Sequence, residues 1–232
     1  MSPAADLPGA ANPAGLFISF EGVEGSGKSS QLARIALRLA ASGREVVKTR
    51  EPGGTALGKR LRALLLEAGG APIGPRVELL LYAADRAQHV TEVIAPALRR
   101  GAVVLCDRYL DATIAYQGYG RGLGAEAVLS LHRESPLDLR PSRTVLLDLE
   151  PAAGLARARA RNDAQGTAVA EGRFEGEALA FHRSVREGYL ALAAAEPDRI
   201  RVVNGEGPEE IVEARVREAL RDLLPALGEP GP

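Results

Sequence analysis

This 232-residue sequence predicts an α/β architecture in which a five-stranded parallel sheet is covered by helices on both faces. Three observations predict it. Five short runs rich in Val, Ile and Leu alternate with longer segments of helical spacing, the pattern of a sheet buried on both sides. The first run, LFISFEG at 16–22, leads straight into the glycine-rich GVEGSGKS (22–29) and then into an amphipathic segment. Length and composition, 46% hydrophobic and 25% charged, suit one domain of about 200 residues.

In chain order, QLARIALRLAASG (31–43) is helical by its leucine, isoleucine and alanine spacing. REVVKTR (44–50) is the second strand, and TALGKRLRALLLEAGG (55–70) is a helix closed by glycines. PRVELLLYAADRAQHVTEVIAPALRRG (75–101) is one long helix, with proline near its start and arginines and glycine at its end. AVVLCDRY (102–109) is the third strand, AEAVLSLHRES (125–135) a helix and RTVLLDLE (143–150) the fourth strand. Another helix opens at PAAGLARARARN, is interrupted near 163–172, and resumes through FEGEALAFHRSVREGYLALAAAE (174–196). RIRVVNGEG (199–207) is the last strand and PEEIVEARVREALRDLLPAL the last helix. Residues 1–15 are expected to be a disordered tail, 16–224 a single domain and 225–232 a flexible end. The irregular stretch marks a lid at about 157–176.

A net charge of −1 gives no polyelectrolyte bias, so no nucleic-acid partner is expected. No apolar run approaches the roughly 18 residues needed to span a bilayer, and no membrane partner is expected either. Of 29 basic residues only Lys28, Lys48 and Lys59 are lysines, so a lone arginine says little. Cys106 is the sole cysteine, which excludes an intrachain disulfide and fits a reducing, cytoplasmic setting.

The GxxxxGKS element, lying between strand and helix, is a phosphate-binding loop. Gly22, Gly25 and Gly27 let the backbone N–H groups of Gly22 to Ser29, including those of Val23 and Ser26, converge on phosphate oxygens. Lys28 bridges terminal phosphates, and the Ser29 hydroxyl is placed to ligate Mg²⁺. Glu24 is positioned to hold a metal-bound water, to orient a neighbouring cation, or simply to face solvent. The acceptor of the phosphoryl group remains to be found. An NKxD element for reading guanine is missing, which weakens a signalling GTPase. Asp107 ends the third strand as it would in a hydrolytic ATPase, yet Arg108 follows it and suits an anionic acceptor better than water. Arg50 and Glu51 precede a Pro-Gly-Gly turn, and Tyr82 and Arg86 lie four apart on one helical face.

TREPGGT, LLYAADRAQH, DRYLDATIAYQGYGRG and FHRSVREGY, in order between about Phe17 and Leu220, together resemble thymidylate kinase. The resemblance implies the nucleoside monophosphate kinase fold, transfer of the γ-phosphoryl group of ATP to dTMP with Mg²⁺, and a homodimer. It further implies that Arg50 and Arg108 grip the acceptor phosphate, with Glu51 and Arg62 nearby. Tyr82 would stack on thymine, Arg86 would donate to a base carbonyl beside Thr113 and Gln117, and Tyr116 would lie under the sugar. Asp107 is cast as a group holding metal, metal-bound water or an arginine. Lid arginine candidates are Arg157, Arg161 and Arg173, and Arg173 fits the family pattern best. Ala112 replaces a small hydroxyl residue, and Gly172 stands where relatives often carry Asp. The alternatives are a kinase for another nucleoside monophosphate or small metabolite, and a nucleotide-binding switch ATPase.

Overall fold

The computed structural model describes residues 15–133, 136–165 and 172–228. Strands β1 (Leu16–Glu21), β2 (Val46–Arg50), β3 (Val103–Asp107), β4 (Arg143–Asp148) and β5 (Ile200–Asn204) form one parallel sheet in the order β2-β3-β1-β4-β5. Side chains alternate across it. Phe17, Val104, Cys106 and Leu146 enter one core, while Ile18, Phe20, Leu105 and Leu147 enter the other. Cys106 is therefore a small buried hydrophobe.

Helix α1 (Lys28–Ala41) lays Leu32, Ile35 and Leu39 against the second core together with Val212 and Val216 of α9 (Glu209–Leu220). The other face carries α3 (Pro75–His89), α6 (Ala125–His132) and α8 (Leu179–Ala195). Thr55 caps α2 (Ala56–Leu66), its Oγ1 accepting the Gly58 N–H at 2.9 Å, and Pro75 occupies the first turn of α3. The long helix expected over 75–101 is continuous but passes through a π segment at Val90–Ile94 before α4 (Ala95–Arg99). A second π segment, Ile114–Gly120, follows the short α5 (Leu110–Thr113), and sequence periodicity did not signal it.

Two boundaries differ from expectation. After α7 (Pro151–Gln165), the chain turns through Gly172 and Gly176, and α8 starts at Leu179 rather than at Phe174. At the C-terminal end Pro225–Gly228 forms a 3₁₀ turn that buries Leu227 in the second core, so packed structure continues past residue 224. Residues 1–14 of the expected tail and 166–171 of the expected lid lie outside the described residues.

Strand order reverses at β1, whose first crossover runs to β2 on one side while β4 lies on the other. Ligands of open parallel sheets bind at the carboxyl ends beside such a switch. Register sharpens this: Phe20 and Arg50 both pair with Asp107, so the ends of β1, β2 and β3 are level.

Candidate active site

A cleft of about 430 Å³ opens at these level strand ends. One wall is the phosphate loop, represented by Glu24, Gly25, Gly27, Lys28 and Ser29. Gly25 has φ 65°, and a Cβ there would come within 2.0 Å of the Gly154 carbonyl, so a side chain is excluded on two counts. Gly22, Val23 and Ser26 frame the loop without lining the cleft: Val23 is buried in the core, and its carbonyl accepts Lys28 Nζ at 2.7 Å. Ser26 Oγ accepts the same ammonium at 3.3 Å, and Gly22 offers its carbonyl to Arg108. Burial and the neighbouring Arg108 charge bring Lys28 down to about 7, the mark of cations crowded together where a polyanion would relieve them.

Arg108 is the centre of the opposite wall. Its backbone has φ 68°, a left-handed conformation that costs a non-glycine residue energy and that its surroundings over-determine. The Arg108 N–H donates to Phe20 O at 3.0 Å, and the next N–H, of Tyr109, donates to Glu21 Oε1 at 2.7 Å. The guanidinium donates to Gly22 O (3.0 Å), Tyr189 Oη (3.2 Å) and Glu24 Oε1 (3.1 Å), and lies 4.9 Å over the Tyr116 ring. Tyr116 in turn donates its hydroxyl to Glu24 at 2.6 Å. Burial would raise the Glu24 carboxyl, but Arg108, His182, Lys28 and Tyr116 outweigh it and hold it at about 2. Glu24 is thus a buried anion that orients a cation, not a solvated loop residue.

Arg50, Arg62, Tyr82, Arg86, Ala112, Thr113, Tyr116 and Gln117 complete the cleft. Arg50 reaches Asp107 at 3.8 Å, and Asp107 also accepts the Ser29 hydroxyl. Arg62 donates to Pro52 O at 3.1 Å. Glu51 is 3% exposed and is committed to Arg86 (2.8 Å) and to the His89 Nδ1 (2.9 Å), so it holds the Arg86 guanidinium in place. Arg86 donates to Thr113 Oγ1 at 2.8 Å, and Gln117 donates to Glu78 at 2.8 Å.

Of the lid candidates, Arg157 does not line the cleft, and neither does Arg173. The Arg173 guanidinium donates to Glu78 Oε2 (2.6 Å) and Leu65 O (3.0 Å). The fully buried carboxylate of Glu78 on α3, which Gln117 and Arg121 also meet, captures it. From the same segment Arg161 lines the cleft instead, held by Asn162 Oδ1 at 2.9 Å. Sequence reasoning also missed Tyr189, Glu21 and Glu78. Tyr189 lay in plain view as the last residue of FHRSVREGY; nothing local marks the other two.

Among the described residues no cluster of three or more His, Cys, Asp or Glu is arranged to hold a metal. Ser29 and Asp107 do supply adjacent oxygen donors beside Lys28, the hard donor type that Mg²⁺ accepts while keeping phosphate and water in its remaining positions. No described helix is long and apolar enough to cross a membrane.

A family model described as thymidylate kinase matches residues 20–216. The thymidylate kinase of Solidesulfovibrio magneticus is 56% identical over 200 residues, spanning 86% of this chain and 96% of the relative. That of Pelobacter propionicus is 53% identical over 211 residues, spanning 90% and 96%. The crystal structure of thymidylate kinase from Ehrlichia chaffeensis superposes with a TM-score of 0.69 at 32% identity, covering 90% of this chain and 99% of that one.

Proposed function

The chain belongs to the thymidylate kinase family, and from that premise we propose that it transfers the γ-phosphoryl group of ATP to dTMP, giving ADP and dTDP for dTTP synthesis. One observation carries the reading: the phosphate loop shares a single cleft with Arg50, Arg86 and Arg108. A hydrolase has no use for that second, cationic and aromatic wall.

ATP brings about four negative charges and dTMP about two, and their approach at low dielectric is opposed unless cations intervene. Lys28 and the loop amides serve the ATP phosphates, and Arg50 and Arg108 the acceptor phosphate. Tyr82 lies against the thymine face, with Arg86, Thr113 and Gln117 at its polar edge. Tyr116 lies beneath the sugar, where it disfavours a ribose 2′-hydroxyl. The attacking atom is an already ionised phosphate oxygen, so no general base is needed. Catalysis then comes from in-line positioning and from stabilising charge on the transferring group. Arg161 is the lid-side cation best placed for that role, which moves from Arg173 because Glu78 holds the latter. Ser29 with Asp107 would hold Mg²⁺, which would supply neutralisation of phosphate charge when bound.

We take the working form to be a cytoplasmic homodimer. Leu57 and Leu64 on α2 and Val77 and Leu80 on α3 are all exposed, an apolar surface that a second copy would cover.

The test is transfer from ATP to a panel of thymidine, deoxyuridine, cytidine, adenosine and guanosine monophosphates, with and without Mg²⁺. Thymidylate should be preferred; equal or better rates with adenosine monophosphate would refute the assignment. ATP loss indifferent to added thymidylate would point to a switch ATPase.

A further inference from the structure

Behind the cleft wall, Arg86 has a partner that the mechanism above does not use. Its Nη1 lies 2.5 Å from Nε2 of His132, the last residue of α6. His132 is 2% exposed, and its Nδ1 lies 2.7 Å from the Val128 carbonyl one turn earlier. A carbonyl oxygen only accepts, so Nδ1 carries the proton; a guanidinium only donates, so Nε2 presents its lone pair. Those two contacts select the neutral Nδ1–H tautomer. Burial and the Arg86 charge push the ring down to about 4, in keeping with a neutral imidazole at physiological pH.

Each edge of the guanidinium then has its own anchor. Nε and Nη2 both meet Glu51 Oε2 (2.8 and 2.7 Å), Nη2 also donates to Thr113 Oγ1 (2.8 Å), and Nη1 has His132, with Cζ 4.7 Å from the Tyr109 ring centre. Glu51 supplies charge on one side only. Remove the imidazole, and Nη1 becomes a buried donor without that acceptor, free to tilt the planar group toward another.

We propose that His132 is a positioning residue for base discrimination: its Nε2 lone pair sets the orientation in which Arg86 presents N–H groups to the pyrimidine 4-position. The proposal rests on the reading that Arg86 addresses the base. dTMP and dUMP carry an accepting carbonyl at that position, whereas dCMP carries an amino group that opposes an N–H donor. Correct orientation of Arg86 therefore rewards the first two and not the third.

The experiment is steady-state kinetics of the full chain with dTMP, dUMP and dCMP for His132→Leu, His132→Gln and Arg86→Lys. His132→Leu should raise KM for dTMP and dUMP about 10-fold, the discrimination expected of one well-placed polar contact, with kcat within about twofold and KM for ATP unchanged. The preference over dCMP should narrow by the same factor. His132→Gln, whose amide oxygen accepts, should recover most of it. An unchanged preference in His132→Leu, equal losses for all three substrates, or no recovery in His132→Gln would each overturn the proposal. If Arg86→Lys also leaves the preference intact, base reading by Arg86 itself has failed; if Arg86→Lys collapses it and His132→Leu does not, only the role of His132 has. Should His132→Leu not fold, nitrogen-15 NMR of the wild-type histidines decides. A neutral Nδ1–H His132 from about pH 5.5 to 8 supports the proposal, and an Nε2–H tautomer or an imidazolium in that range rejects it.

Discussion

Arg108 Nη2 donates to Glu24 Oε1 across 3.1 Å, joining the loop after β3 to the phosphate loop through a mostly buried ion pair. Both partners are secured elsewhere, Arg108 by Gly22 and Tyr189 and Glu24 by Tyr116. The cation proposed for the acceptor phosphate is thus aimed by the loop proposed for the donor phosphates. Glu24→Gln keeps the shape and removes the charge, so kcat/KM for dTMP should fall about 10²-fold, with a stability loss of about 1–3 kcal/mol because the mostly buried Arg108 loses its counter-charge. Saturation kinetics measure it, and a wild-type kcat/KM in Glu24→Gln would detach Glu24 from the reaction.

The two arginines near the lid separate by readout. Arg161→Ala should slow single-turnover phosphoryl transfer by roughly 10³-fold, the lower range for an arginine that stabilises the transferring group. Arg173→Ala removes one of the donors to buried Glu78 but leaves Arg121 and Gln117 in place. It should therefore cost about 1–3 kcal/mol of stability with a much smaller effect on transfer. Rapid-quench kinetics paired with denaturant unfolding distinguish them, and the reverse pattern would return the catalytic role to Arg173.

That exchange of roles shows what the sequence could and could not tell. The phosphate loop was legible because its geometry is local: glycines, lysine and serine at fixed spacing between a strand and a helix. The five strands were legible because burial on both faces leaves an apolar run. Arg173 was not, since its fate depends on Glu78, 95 residues away, and no spacing reports a contact across that distance. His132 meets Arg86 across 46 residues for the same reason. The start of α8 was misplaced because Phe174 has helical company in sequence, while the backbone makes turns over 173–176 before the helix begins at Leu179. Leu227 was assigned to a tail because three prolines and two glycines share residues 225–232 with it, yet its side chain finds the core.

Glu21 gives a pH dependence. It ends β1 fully buried, accepting N–H from Tyr109 (2.7 Å) and O–H from Tyr189 (2.9 Å), and burial followed by the Asp111 charge raises it to about 8. A raised folded-state value means that the folded protein keeps a proton that the unfolded chain releases near 4.5. The stabilisation from this group is complete below that point and is lost as pH rises through about 8. Unfolding free energy should decline over this window by a few kcal/mol at most, and Glu21→Gln should flatten the decline. Denaturant titrations at stepped pH measure both slopes; parallel slopes would assign the loss to another group.

The apolar surface on α2 and α3 makes the assembly testable. Leu64→Glu with Leu80→Glu places charges on two exposed leucines, 52% and 57% accessible, that touch neither core. If a second copy covers them, sedimentation should show a dimer converted to monomer at micromolar concentration, with the isolated fold intact by circular dichroism. A wild-type monomer, or a dimer untouched by both charges, would move the interface elsewhere.

Ser29 and Asp107 let the metal's role be separated from the arginine's. The Ser29 hydroxyl donates to Asp107, whose Oδ2 also faces Arg50 at 3.8 Å, so the carboxylate stands between the proposed Mg²⁺ ligand and the arginine proposed to bind the acceptor phosphate. Chelation of divalent ions should abolish transfer and added Mg²⁺ restore it. Ser29→Ala should raise the Mg²⁺ concentration for half-maximal rate about 10-fold and leave KM for dTMP near its original value, because a hydroxyl ligand is lost while Arg50 is undisturbed. Asp107→Asn then decides between its two roles. A shift in the Mg²⁺ requirement makes it a partner of the metal, whereas a raised KM for dTMP at saturating Mg²⁺ makes it the group that orients Arg50. If neither moves, the end of β3 contributes architecture only, and the acceptor phosphate depends on Arg50 and Arg108 without its help.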